Sequence, residues 1–440
     1  MRATRRTYFF AIWFAILAAA VLATSTLSVA QPQALLLHSF NGTNGKGPVA
    51  GLIADKTGHL FGTTFQGGAH GYGTVFELFP NGHGGWTEKI LHSFPAFDGD
   101  GLYPIASLTS DASGNLYSTT RDGGATGAGT VFELSHNLDG SWSETILHSF
   151  TSYSPDGSSP AAGVTFDSAG NIYGTTAAGG EGVCYGTEGY TTYGCGTLFQ
   201  LSPNGHGGWV ERILFNFSIS AGAWPSSDLT WDAAGNLYGT TGYGGSGYCA
   251  GGTGCGTVFE FHPTTGGGWV EKVLYSFAYD STITGAANAA VPQGGIVFDA
   301  AGNIYGTLYW GGAYYDGHRT GVVYELISNG HGKWKERILH SFDGGNGTTP
   351  YGNLIFDAAG NLYGTTAGSY SYNGTVYKLS PTVDGRWKSS VLHAFSQCCI
   401  DSSDRTGIVS GLMMDSAGSL FGTAKIGGSN NLGMVFEIKP

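Results

Sequence analysis

The stretch 353–366, NLIFDAAGNLYGTT, decides the fold of this chain. It contains a short apolar segment, an Asp-x-x-Gly turn and a second segment of apolar, aromatic and β-branched residues, which is the pattern of a β-hairpin. Near-copies recur along the whole chain, with the turn aspartate at Asp55, Asp111, Asp167, Asp232, Asp299, Asp357 and Asp415. A repeat that runs from end to end predicts one repeat domain rather than several separate domains.

Each repeat predicts four strands. The hairpin supplies the first two, and the third resembles Gly-Thr-Val-Phe-Glu-Leu at 73–78. The fourth runs from a Trp to a Phe, as at 86–94. A proline stands seven residues before the turn aspartate in six of the seven repeats, where it can open a strand without removing a ladder hydrogen bond.

The count of strands predicts how the domain closes. There are seven sets of the first three strands but only six complete Trp-to-Phe strands, and residues 35–40, LLLHSF, match the missing one. We therefore predict an all-β, seven-bladed β-propeller of four-stranded blades, in which the N-terminal strand at residues 34–40 completes the last blade. A linear β-solenoid is the alternative, although its coils are usually far shorter than these repeats of about 58 residues.

The N-terminus predicts export. Arg2, Arg5 and Arg6 precede an apolar run and a small-x-small site that ends at Ala30, so residues 1–30 are expected to be a signal peptide cleaved after Ala30. Retention of this segment as a membrane anchor is the alternative. Residues 31–440 are then a single secreted, periplasmic or cell-surface domain with no membrane span, which we expect to be a monomer.

The charge of the mature chain excludes some partners. Without the three arginines of the leader, 16 Lys and Arg remain against 31 Asp and Glu, which gives a net charge of −15. This balance argues against nucleic acid and anionic membranes as partners.

Six cysteines in an exported chain favour disulfides over a metal site. Two pairs are local within corresponding loops, which predicts the bonds Cys184–Cys195 and Cys249–Cys255. A zinc site is the alternative, but no Cys-x-x-Cys motif is present. Cys398 and Cys399 are adjacent, and both a vicinal disulfide and two free thiols fit this spacing. We expect no metal and no cofactor.

The two half-motifs, Gly-Asn-Leu-Tyr-Gly-Thr-Thr and Gly-Thr-Val-Phe-Glu-Leu, resemble the GloVer tandem-repeat proteins, an exported "choice-of-anchor" bacterial family. The resemblance covers nearly all of residues 34–440. It implies export and no established biochemical activity. The Asp-x-x-Gly-Asn-x-Tyr half also resembles other propeller repeats, including sugar-lactone-hydrolysing ones, but a shared turn does not transfer a function.

Most repeated polar and aromatic residues have a structural interpretation. The turn aspartates are expected to cap hairpins, and the fourth-strand tryptophans to pack between blades. Histidines recur in the fourth strand but are replaced by Phe215 and Tyr275, which indicates a packing position. The residues expected at the mouth of the central channel are mostly small, and only Asp228 and Asn353 are polar enough to suggest chemistry, which argues against an enzyme.

The remaining candidates lie in the loops between second and third strands and in the blade-to-blade connections, which open on the same face. These loops are expanded and aromatic around blades three to five, which predicts one decorated face. Aromatic platforms beside amides and acids suit a polysaccharide or a protein partner, so we predict a binding module. A carbohydrate- or lactone-acting lyase or hydrolase and a structural envelope or adhesion module are the alternatives. The candidate ligand-binding residues are Tyr190, Tyr193, Trp224, Tyr243, Tyr248, Tyr309, Trp310, Tyr314, Tyr315, Asp228, Asp316, His318 and Arg319.

Overall fold

A computed structural model describes residues 32–96, 99–151, 155–185, 191–247, 249, 254–279, 285–313, 320–368, 374–395, 407 and 410–439. Residues Gln33–Pro440 form one compact unit, distinct from Met1–Pro32. The described residues are strands, turns and loops, and none of them forms a helix long and apolar enough to cross a membrane. The strands form seven small antiparallel sheets arranged as a seven-bladed β-propeller, which confirms the predicted fold.

Each blade has the same strand order, with the first strand innermost and the fourth outermost. The first strand is only two residues long in every blade. The strands of blades one to seven, in blade order, are Ile53–Ala54, Leu60–Thr64, Thr74–Pro80 and Trp86–Ser93; Thr109–Ser110, Leu116–Thr120, Thr130–His136 and Trp142–Ser149; Thr165–Phe166, Ile172–Thr176, Thr197–Pro203 and Trp209–Asn216; Thr230–Trp231, Leu237–Tyr243, Thr257–Pro263 and Trp269–Ser276; Val297–Phe298, Ile304–Gly312, Val322–Ser328 and Trp334–Ser341; Ile355–Phe356, Leu362–Thr366, Thr375–Pro381 and Trp387–Ala394; and Met413–Met414, Leu420–Ala424, Met434–Ile438 and Ala34–Ser39.

The last blade is closed by the first strand of the chain, as predicted. Ala34–Ser39 pairs antiparallel with Met434–Ile438, with Leu36 opposite Phe436. Leu37 is 8% exposed and packs into the core between blades seven and one. Because the closing strand joins the two ends of the repeat, the ring has no exposed terminal blade.

The turn motif is explained by the hydrogen bonds of its aspartate. In blade four, Asp232 Oδ1 accepts the N–H groups of Ala234 and Asn236, both at 2.8 Å. Its Oδ2 accepts the Asn236 side-chain amide at 2.8 Å and the Tyr238 hydroxyl at 3.0 Å. Burial by itself would raise the pKa of Asp232, but these hydrogen bonds outweigh it and lower the pKa below its usual value. The carboxylate therefore caps the hairpin, as the sequence predicts, and it also binds the Asn236 and Tyr238 side chains, which was not predicted.

The two threonines that end the second strand have separate tasks. In blades one, two, four, six and seven the first threonine donates its hydroxyl to a backbone carbonyl at the start of the next blade, as Thr119 does to Ala162 at 2.9 Å. Thr423 makes the same bond to Ala50 at 3.0 Å and so links blade seven to blade one. The second threonine pairs with the threonine that opens the third strand, as in Thr120 and Thr130 at 2.8 Å.

The hydrophobic core lies between neighbouring blades rather than at the centre of the disc. Fourth-strand tryptophans pack against second-strand aromatic rings of the preceding blade. Trp142 lies 6.5 Å from Phe61, and Trp269 lies 5.5 Å from Tyr173, measured between ring centroids. The predicted packing role of these tryptophans is therefore confirmed.

Two strand pairs at the blade-to-blade connections were not predicted. Ala223–Pro225 and Gly285–Pro292 each add to the extended second strand of their blade. Similar two-residue pairs occur before blades two and three, where Gly101–Leu102 meets Asp122–Gly123 and Gly157–Ser158 meets Ala178–Gly179. These pairs hold each connection against the blade that follows it.

Candidate functional site

Topology places the variable loops on one end of the disc. Second strands run from the Asp-x-x-Gly turn to this end, and third strands begin there. The connections from the preceding blade also arrive there, just before the first strand. We call this end the loop face, and the opposite end, which carries the Asp-x-x-Gly turns, the turn face.

Two aromatic groups on the loop face flank the innermost strands. Trp224 lies just before the first strand of blade four, and its ring centroid is 4.9 Å from that of Tyr243 at the end of the second strand. In blade five, Tyr309 lies 6.2 Å from both Trp310 and Tyr351. Burial and the neighbouring Tyr309 raise the pKa of Tyr351, so this hydroxyl stays protonated at neutral pH. All five side chains are half-buried, with part of their surface open to solvent.

A third aromatic group lies between blades one and two. Tyr103 packs 5.0 Å from Phe65 and 5.7 Å from Tyr72. The Arg121 guanidinium lies over the rings of Phe65 and Tyr103, at 5.3 and 5.4 Å from their centroids. Its charge is balanced by Asp122 at 2.8 Å. This group was not predicted from the sequence, because it lies outside the expanded loops of blades three to five.

Strained backbone positions carry two of these aromatic residues. In five blades, the residue before the proline that recurs in the repeat adopts a left-handed backbone conformation. Its φ angle lies between 52° and 64° at Tyr103, Ser159, Trp224, Val291 and Thr349. Non-glycine residues rarely adopt it. Each of the five donates its N–H to a backbone carbonyl of the preceding blade, as Trp224 does to Cys195 at 3.1 Å, which compensates the strain. The conformation occurs with five different side chains, so it is a feature of the repeat and not of one residue type. Where the position is Tyr or Trp, it directs an aromatic ring to the loop face.

The channel mouth is crossed by a polar bridge. Asp228 Oδ1 accepts the Gly163 N–H at 2.7 Å, and Asp228 Oδ2 accepts the Asn353 side-chain amide at 3.4 Å. Asn353 Oδ1 in turn accepts the Gly295 N–H at 2.5 Å. Four blades, from three to six, are thus tied together across the channel by one acid and one amide.

The remaining channel positions are small because the inner strands approach closely. They are Gly51, Ser107, Gly163, Gly295 and Gly411. A Cβ on Gly163 would lie 2.7 Å from the Ser107 carbonyl oxygen. Of the seven channel positions, all of which the structure describes, only Asp228 is ionisable, so no pair of carboxylates converges there.

The structure brings together part of the predicted site. Trp224 contacts Tyr243, and Tyr309 contacts Trp310, whereas Asp228 lies in the channel bridge. For Tyr193 only the backbone is described, in the hairpin Val183–Tyr185 with Thr191–Tyr193. The other predicted ligand-binding residues lie outside the described residues, and these are Tyr190, Tyr248, Tyr314, Tyr315, Asp316, His318 and Arg319.

Both predicted disulfides are confirmed. Cys184 is bonded to Cys195 with a Cα–Cα distance of 5.3 Å, and Cys249 to Cys255 at 5.4 Å. All four cysteines are buried. Disulfides of this kind fit an extracellular or periplasmic protein. Cys398 and Cys399 lie outside the described residues.

The fourth-strand histidines do more than pack. His92 and His148 pack edge to face against Phe94 and Phe150, as a packing role predicts. Each histidine also faces an aspartate and a glutamate of neighbouring segments. These clusters were not predicted from the sequence. A signal was present, because an aspartate follows the fourth-strand histidine by eight residues after His92, His148 and His393.

Comparisons with solved structures find similar chains at low sequence identity. A luciferin-regenerating enzyme is similar at 14% identity and a TM-score of 0.43, over 79% of this chain and 94% of that chain. A gluconolactonase from Xanthomonas campestris is similar at 14% identity and a TM-score of 0.41, over 77% of this chain and 93% of that chain. Similarity at this level does not transfer an activity. No curated protein sequence matches the chain.

The repeat itself identifies the family. The sequence model described as the Gloeobacter/Verrucomicrobia repeat matches residues 23–186 and 281–440, which is well over half of the chain. This match agrees with the two half-motifs of the repeat and with the seven blades that they form. The chain therefore belongs to the Gloeobacter/Verrucomicrobia repeat family.

Proposed function

We propose that this protein is an exported binding module whose ligand is an extracellular polysaccharide held on the loop face. The observation that carries the proposal is the set of half-buried aromatic pairs beside the channel mouth, chiefly Trp224 with Tyr243 and Tyr309 with Tyr351. The predicted leader at residues 1–30 and the two disulfides support export.

Aromatic rings of this kind suit sugars for two reasons. Their faces offer flat apolar surface to the C–H groups of a pyranose ring, while the Tyr hydroxyl and Trp N–H groups can bond its hydroxyls. Their edge-to-face packing also restricts their rotamers before a ligand arrives. The interplanar angle is 85° for both Trp224 with Tyr243 and Tyr309 with Tyr351. A preorganised surface loses less entropy on binding.

The channel bridge favours binding over catalysis. Acid–base hydrolysis of a sugar or lactone generally needs a second ionisable group within reach of the first. Asp228 instead has its carboxylate oxygens committed to Gly163 and Asn353. A lyase or hydrolase nevertheless stays an alternative function, as do a protein ligand and a structural envelope or adhesion role.

A glycan array on purified residues 31–440 tests the proposal. The test variant is Trp224→Ala/Tyr309→Ala, which removes one ring from each of two aromatic groups. The matched control is Phe79→Ala, because Phe79 is a half-buried aromatic residue on the turn face, 5.6 Å from His59. We expect selective binding by the wild type and the control, and a loss of about tenfold or more in the test variant.

Three outcomes separate the alternatives. Absence of binding across a broad array contradicts the polysaccharide proposal and favours a protein partner or a structural role. Equal binding by both variants places the sugar site elsewhere on the chain. Turnover of a sugar lactone that disappears in Asp228→Asn supports the enzyme instead.

A further inference from the structure

Two clusters of ionisable side chains lie between neighbouring blades, away from the loop-face aromatic groups. The first joins His92 and Asp100 to Glu144 of blade two. The second joins His148 and Asp156 to Glu211 of blade three. In each cluster the three ligand atoms lie within 4.8 Å of one another. The clusters repeat the same geometry one blade apart.

The distances match the coordination sphere of a small cation. His92 Nε2 is 3.5 Å from Asp100 Oδ2 and 3.3 Å from Glu144 Oε2. In the second cluster the corresponding distances from His148 Nε2 are 3.6 and 3.4 Å. Two ligands on a tetrahedral zinc ion, with bonds of about 2.0–2.1 Å, are separated by about 3.3–3.4 Å.

Three rigid elements set this geometry. A β-bulge at Leu91 shifts the register between Val75 and Phe76, and this turns His92 toward the next blade. The connection that carries Asp100 is held against blade two by the pairing of Gly101–Leu102 with Asp122–Gly123, and the Asp100 carbonyl accepts the Gly124 N–H at 2.7 Å. The glutamate lies on the outer strand of the next blade, two residues after its tryptophan.

The two imidazole nitrogens have no hydrogen-bond partner. His92 Nε2 and His148 Nε2 are buried and make no hydrogen bond, and they face the carboxylates of their own clusters. The side chains of His92, Asp100 and Glu144 are only 20%, 14% and 11% exposed. Buried polar atoms normally have partners, so these are candidates for a bound ion.

We propose that each cluster binds one divalent transition-metal ion of the Zn²⁺ class, which links the outer strands of adjacent blades. The inference goes beyond the proposed function, because it concerns blades one to three and does not depend on a ligand at the loop face. It also departs from the expectation, made from the sequence, that the chain contains no metal site.

The donor set selects the class of ion. One imidazole nitrogen with two carboxylate oxygens is a common donor set for Zn²⁺ and its neighbours, with water completing the tetrahedron. Ca²⁺ prefers six to eight oxygen ligands at longer distances, and these compact clusters do not supply them.

The interface between blades seven and one contains the same arrangement with one donor replaced. Asn44 takes the aspartate position beside His38, where its amide contacts Glu88 Oε2 at 2.6 Å and His38 Nε2 at 3.0 Å. An amide donor thus contacts both the imidazole and the carboxylate without a cation. Because this composition occurs in the same fold, Asp→Asn variants of the two clusters are expected to fold.

Equilibrium dialysis of Zn²⁺ against metal-stripped residues 31–440 at pH 7.5 tests the proposal, with free thiols alkylated so that Cys398 and Cys399 cannot bind metal. We expect two ions per chain in the wild type, one in Asp100→Asn, one in Asp156→Asn and none in the double variant. The control is Glu271→Gln, because Glu271 occupies the glutamate position opposite Phe215 and has no histidine there. It should bind two ions.

A second measurement connects binding to the fold. Saturating Zn²⁺ should raise the unfolding temperature of the wild type and of Glu271→Gln but not that of the double variant. No bound Zn²⁺ in the wild type, or two ions still bound by the double variant, would overturn the proposal. Tight binding of Ca²⁺ at both clusters, without binding of Zn²⁺, would refute the assigned class of ion.

Discussion

Replacing Glu271 by Gln should stabilise the protein above neutral pH and leave its stability nearly unchanged in mild acid. Glu271 occupies the outer-strand position of blade four that faces a histidine in blades two and three, but its counterpart in blade three is Phe215. Its Oε1 atom is buried without a hydrogen bond. Burial accordingly raises the pKa of Glu271 to about 7.

The sign of the effect follows from linkage. Between pH 4.5 and 7 the folded state holds a proton that the unfolded state has released, so this carboxyl makes the protein less stable as the pH rises through that window. At about 1.4 kcal/mol for each tenfold change in the acid constant, the full difference is about 3 kcal/mol. The side chain is only half-buried, and solvent screening reduces the expected gain to about 1–2 kcal/mol. Glutamine keeps the shape of the side chain and removes the charge.

Urea unfolding, followed by tryptophan fluorescence with the disulfides intact, measures this gain. We expect Glu271→Gln to raise the free energy of unfolding by about 1–2 kcal/mol at pH 8.5 and by less than about 0.5 kcal/mol at pH 4.5. Glu181→Gln is the control, because Glu181 is exposed and should change little at either pH. A gain of equal size at both pH values, or a loss at pH 8.5, would refute the linkage argument.

Two further predictions concern closure and turns. Leu37→Asp should lower the free energy of unfolding by about 3 kcal/mol or more, because Leu37 is 8% exposed in the core that closes the ring, whereas Leu36→Asp at a 46% exposed position of the same strand should cost less than about 1 kcal/mol. Equal urea midpoints for these two variants would mean that the closing strand contributes little to stability. Asp232→Ala should cost about 1–3 kcal/mol at pH 7, since it leaves the backbone N–H groups of Ala234 and Asn236 and the Asn236 side-chain amide without their acceptor. The lowered pKa of Asp232 makes its contribution complete above about pH 4 and lost as the pH falls further, so wild type and Asp232→Ala should converge in acid, and a gap that persists at pH 2 would contradict this account.

Much of the fold could be predicted because its rules act locally and repeat. The Asp-x-x-Gly turn needs only residues within one hairpin, and seven copies made the pattern unambiguous. Closure by residues 34–40 followed from counting strands, and the two disulfides followed from short spacings within a loop. Predictions that rest on residues 1–31 or on the loop at 314–319 stay predictions, since these lie outside the described residues.

The sites were harder to predict because they join residues from different blades. The sequence indicated that Asp228 and Asn353 were unusual, but they are 125 residues apart, and only the ring brings them into contact across the channel. The aromatic group of Phe65 and Tyr103 was missed for the same reason.

The sequence by itself determined the repeat, the strands, their number and the partner of the first strand, because each depends on local hydrogen bonding and alternating burial. Only the tertiary structure decided which side chains face each other across a blade interface. A bulge of one residue at Leu91 turns His92 toward Asp100 and Glu144. The sequence does not indicate this register shift. Side-chain direction changes with every such slip, so the clusters emerge only when the blades are assembled.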